Sequence, residues 1–93
     1  MAFVVVTHKF PLGNYMGVIN EVTGDGSTQY WQTGLSRVMF YVGVTADDDD
    51  LVVDKWYFNY SDAGSTAASG TVFNNAAAPD DGEVWYCFGV GTG

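Results

Sequence analysis

The sequence predicts an all-β domain, a compact antiparallel β-sandwich or β-barrel of about six to seven strands. Valine, threonine, glycine and the aromatic residues dominate, while leucine, lysine and glutamate, which build helices, are scarce. Runs of β-branched and aromatic residues alternate with clusters of glycine, asparagine and aspartate. Two of these runs, Ser36 to Thr45 and Leu51 to Tyr60, contain no proline and are expected to pair as central strands.

The 93 residues and 10.0 kDa suit one domain over 1–93. A chain of this size buries about 64% of its unfolded surface, which makes a thin core. Cys87 is the only cysteine, so neither an internal disulfide nor a cysteine-based zinc site adds to it. Oligomerisation is the expected source of further burial.

In chain order, Ala2 to Thr7 is apolar at both parities, as in a first strand covered on both sides or paired with a neighbouring subunit. Pro11, Gly13 and Asn14 form a turn cluster. From Tyr15 to Thr23, Met16, Val18, Asn20 and Val22 share one face and Tyr15, Gly17, Ile19 and Glu21 the other; Gly17 marks a bulge or a close approach. Gly24-Asp25-Gly26 is a turn, and Tyr30, Trp31 and Thr33 fit a short extended segment.

Parity assigns Val38, Phe40, Val42 and Val44 to the core, opposed by Val52, Trp56, Phe58 and Tyr60. The opposite faces, with Arg37, Met39, Tyr41 and Gly43 and with Leu51, Val53, Lys55, Tyr57 and Asn59, are not polar either, a pattern that fits part cover by a second sheet or another subunit, set against the reading of an ordinary surface, which is more than half apolar. Ser61 to Gly70 is a small-residue loop or contact arm, Thr71 to Asn74 a short strand and Asn75 to Gly82 a second loop. In the last strand, Glu83 to Val90, the residues Val84, Tyr86, Phe88 and Val90 alternate with Trp85, Cys87 and Gly89.

The net charge of −8 sets eleven acids against Lys9, Arg37 and Lys55. It leaves no cationic footprint for nucleic acid and disfavours an anionic membrane. No apolar run has the length of a spanning helix, and Met1 to Thr7 lacks the features of a secretory signal.

Candidate chemistry is sparse. Asp47, Asp48, Asp49 and Asp50 are weak metal candidates, with calcium the natural guest, set against the reading of a solvated acidic turn. Asp80, Asp81 and Glu83 form a similar cluster. His8 is the one partner available to Cys87, whose neighbours Trp85, Tyr86 and Phe88 are those of a buried thiol. Asp54, among Val53, Lys55 and Trp56, is the acid best placed for a hydrolase, set against the favoured reading of a carboxylate paired with Lys55 or Arg37 or facing an interface. Trp31, Trp56 and Trp85, each beside a tyrosine, offer a sugar-stacking platform or a set of core rings. Asn59-Tyr60-Ser61 matches a glycosylation acceptor.

The opening MAFVVVTHKF, the segment TGDGSTQYWQTGLSRVMFYVGV, the strand LVVDKWYFNYS with its small-residue loop, and the terminal GEVWYCFGVGTG together resemble small bacteriophage virion accessory proteins, particularly head decoration or cement subunits. The resemblance implies a structural virion protein with no enzymatic activity and no cofactor. Its partners would be a protein lattice such as a major capsid protein and copies of itself. The residues expected at such contacts are Phe3, Val5, Tyr15, Tyr30, Trp31, Tyr57 and Trp85. A tail or neck subunit and a carbohydrate-binding module using exposed tryptophan and tyrosine are the alternatives.

Overall fold

The computed structural model describes residues 2–45, 51–52, 56–59, 70–75 and 78–93, which form eight strands and no helix. They are β1 (Val4–Leu12), β2 (Tyr15–Thr23), β3 (Tyr30–Gln32), β4 (Arg37–Thr45), β5 (Leu51–Val52), β6 (Trp56–Phe58), β7 (Thr71–Asn74) and β8 (Val84–Thr92). A five-stranded sheet has the order β1-β2-β8-β4-β5 and a three-stranded sheet the order β3-β7-β6, with every pair antiparallel. The core lies between them: Val18, Val22, Val38, Tyr41, Trp85 and Cys87 from the larger sheet meet Trp31 and Val72 from the smaller.

β1 and β2 form a hairpin closed by Gly13 and Asn14. Gly13 takes φ +61°, a conformation glycine supplies at the first loop position of a tight hairpin turn. β1 runs on through Pro11, further than the turn cluster suggested. Hydrogen-bonded pairs alternate from Leu12–Tyr15, so Pro11 falls where a backbone N–H would face the free edge, and the missing donor costs no ladder bond. β2 divides as expected, with Val18, Asn20 and Val22 buried and Tyr15 and Ile19 exposed. Gly17 is a close approach, since any side chain there would collide with the Phe10 ring across the hairpin.

Two expectations are corrected. Leu51 to Tyr60 is not a central strand: β5 pairs with the outer edge of β4 for two residues, and β6 belongs to the other sheet. β8, nine residues without a charge, takes the central place between β2 and β4.

The second correction concerns β4. Val38 is buried as expected, yet Phe40 is 52% exposed and Tyr41 is 2% exposed. The register against β8 shifts between Val38 and Phe40, a β-bulge that inserts one residue and reverses the parity beyond it. Asn59 holds this point: its Oδ1 accepts the Val38 N–H at 2.8 Å and its Nδ2 donates to the Val38 carbonyl at 3.1 Å. The same Oδ1 accepts the Gly70 N–H. That amide is therefore a structural clamp, which argues against its use as a glycan acceptor.

Candidate functional site

Inside the sandwich, Trp31, Trp56, Trp85 and Tyr41 pack mostly edge to face, with ring centroids 5.1 to 6.5 Å apart. Trp31 and Trp85 are buried, so neither is a surface contact residue nor part of a sugar platform. Each is the inward member of its alternating strand, and the tyrosine beside it points out. Phe3 lies half-buried against the Trp31 ring at 5.8 Å, and Val5 is half-buried on the core margin.

A buried polar chain runs through this cluster. Trp31 Nε1 donates to the Tyr41 hydroxyl at 2.8 Å, which donates to Asn20 Oδ1 at 2.7 Å. Asn20 Nδ2 donates to Thr7 Oγ1 and to the Thr33 carbonyl, each at 3.1 Å, tying β1 and the segment after β3 to β2. Among the described residues no buried side-chain nitrogen or oxygen lacks a partner. Burial pushes the Cys87 thiol up to about 12, against a smaller opposing effect of its hydrogen bond with Tyr41. Burial, and next the neighbouring Cys87, also holds the Tyr41 phenol well above its ordinary value. Groups kept neutral and sealed in this way hold the core together, and nothing in their setting generates a thiolate nucleophile.

The other candidates disperse. Cys87 faces the core, whereas His8 lies on the opposite side of the sheet, 58% exposed, with Nε2 2.8 Å from Glu21 Oε2; no Cys–His pair forms. The Asp25 carboxylate accepts the Ser27 and Thr28 N–H groups and the Thr28 hydroxyl. Those bonds, the Thr28 N–H first, hold Asp25 down at about 2, as a turn anchor. Glu83 Oε1 accepts the Asp80 N–H and Trp85 Nε1, closing the turn before β8. Asp47 to Asp50 and Asp54 lie outside the described residues, and among the described residues no three acids, histidines or cysteines gather as a metal set.

What remains is a surface. On the outer face of the five-stranded sheet the cross-strand registers line up Phe10, Gly17, Val90 and Phe40 in one row. His8, Ile19, Phe88 and Val42 form the next, and Val6, Glu21, Tyr86 and Val44 the third. Ile19 is 39% exposed, Phe88 37% and Tyr86 50%. Leu12 and Tyr15 extend the face at one end and Val4 at the other. A shallow depression of about 200 Å³ lies among Ile19, Val42, Val44, Tyr86, Cys87 and Phe88. The charged side chains on these rows are the mutually bonded His8 and Glu21, with Arg37 at a corner beside Thr92.

No protein-family model, no curated protein and no solved structure matches this chain. Its own geometry therefore carries the functional argument. The face groups in adjacent rows the apolar side chains that an ordinary surface scatters singly.

The seven expected contact residues divide accordingly. Tyr15 lies on the outer face; Tyr30 and Tyr57 are exposed on the far side of the smaller sheet, flanking Phe73 in a cross-strand row. Sequence reasoning missed Ile19, Phe40, Tyr86 and Phe88. Their signal was present in β2, β4 and β8, whose residues are apolar at both parities, as in strands meant to be covered twice.

Proposed function

We propose that this chain is a non-catalytic structural subunit that fastens onto a larger protein assembly through apolar and aromatic contacts, as a capsid decoration or cement protein does in a virion. The outer face of the five-stranded sheet carries this reading. It exposes Ile19, Phe40, Tyr86 and Phe88 together, while among the described residues every buried polar side-chain group has a partner within the fold. The resemblance to small phage accessory proteins points the same way. The test is to count copies of this chain per copy of the major shell protein in purified particles by quantitative mass spectrometry. A simple fraction of the shell number supports a decoration subunit, a handful per particle supports the tail or neck, and absence from particles overturns the reading.

A second reading, a carbohydrate-binding module, draws on the row Tyr30, Phe73 and Tyr57, where the Tyr57 and Phe73 rings lie 5.9 Å apart and 30° from parallel. Glycan-array binding that disappears in Tyr57→Ala would favour it.

A further inference from the structure

We infer that the occupant of the outer face is a second copy of this chain, two copies packing sheet on sheet about a two-fold axis that passes beside Ile19 and Phe88. This rests on reading that face as a contact surface and names its partner; the pair, not the single chain, is then the unit that meets the larger assembly, through surfaces other than this face.

Charge selects the occupant first. The chain carries −8, yet the one acid on the rows of this face, Glu21, is bonded to His8, and the charge at its corner is the cation Arg37. Two copies meeting on these rows therefore do so with little repulsion. A strongly charged partner would find nothing to pair with on the same rows. The complementary surface is therefore uncharged and apolar, and this face is itself such a surface.

Size agrees. Four strands spaced about 4.8 Å apart, nine residues long at about 3.4 Å per residue, make a face of roughly 600 Å². Two such faces would bury about 1,200 Å², where specific protein interfaces begin. The free edge of β1 is the weaker alternative. Pro11 and Lys9 lie on it, and both residue types blunt strand addition, whereas the face has no comparable safeguard at its centre. Twisted antiparallel sheets stack readily face to face, and an isologous contact needs only one self-complementary patch.

Sedimentation equilibrium on the purified chain tests this. The expected result is twice the 10.0 kDa chain mass across the micromolar range. Added salt should tighten the association, because it screens repulsion between the acidic bodies. Ile19→Lys and Phe88→Lys, at the centre of the face, should each raise the dissociation constant at least about tenfold, while Tyr30→Lys on the other sheet leaves it unchanged. Far-UV circular dichroism checks that each variant folds; if the lysines prevent folding, Ile19→Thr should still weaken the dimer several-fold. A monomeric wild type overturns the inference, and so does a dimer that both central variants leave intact. A monomer whose Phe88→Lys variant drops out of particles sinks the dimer and keeps the structural role. A dimer absent from particles does the reverse.

Discussion

The two faces of the five-stranded sheet are both apolar, yet they are built on different terms. The inner face takes large rings and polar groups together, and space for them comes from glycine: at Gly89 a side chain would press on the Tyr41 ring and Val18. Each hydroxyl, amide and indole N–H in it has a partner. The outer face has side chains of similar hydrophobicity, no polar network beyond His8 and Glu21, and no layer of this chain's described residues over it. Hydrophobicity alone therefore does not distinguish the core from the outer face; the satisfied polar network does.

The contrast can be broken most severely from the inside. Trp31→Ala removes the ring that touches Phe3, Tyr41, Trp56 and Trp85, and should cost about 3–5 kcal/mol, much of what a small domain possesses. Urea denaturation followed by circular dichroism would show the midpoint collapse. Tyr41→Phe keeps the ring but leaves Trp31 Nε1 without its acceptor and Asn20 Oδ1 without its donor, an expected loss of about 2–3 kcal/mol. An unchanged midpoint would mean that water enters to replace the hydroxyl.

Alkali should act on the same interior. The Cys87 thiol and Tyr41 phenol resist ionisation in the folded chain but not in the unfolded one, so above their ordinary values the unfolded chain gives up protons first. Stability is full below the ordinary thiol value of 9.0 and falls as pH rises from there toward about 12. The slope approaches about 1.4 kcal/mol per pH unit for each group. Cys87→Ala should flatten the first part of that fall in denaturation midpoints taken at successive pH values. The smallest effect on stability belongs to the outer face: Ile19→Lys should shift the unfolding free energy by no more than about 1 kcal/mol while weakening the proposed dimer at least about tenfold. A large loss of stability there would mean that the face belongs to the fold.

The all-β class and the faces of β2 were legible because composition and strict alternation are local properties. Asn20 could be placed on the inner face, but not the chain of hydrogen bonds that makes its burial tolerable, since Trp31, Tyr41, Thr7 and Thr33 meet it only after the sheets close. The order of strands was not legible. β8, last in sequence, inserts between β2 and β4, and no local pattern announces a long-range pairing. The candidate site was obscured for a related reason. With Phe40 assigned inward and Trp31 and Trp85 outward, the apolar residues of the outer face were divided between two imagined surfaces.

The Asn59 clamp on Val38 has one more consequence. β4 is a strand in two reading frames, and the bulge is the splice between them. Upstream of it even-numbered residues face the core, and downstream odd-numbered ones do, so Met39 and Phe40 emerge side by side on the same surface. Removing Met39 at the splice would join the frames into one regular alternation, with Val38 and Tyr41 still inward, Phe40 still outward, and the pairing with Gly91 and Val90 running without a break. A single-codon deletion there would keep the molecule's inside and outside as they are and remove only the bulge that Asn59 grips.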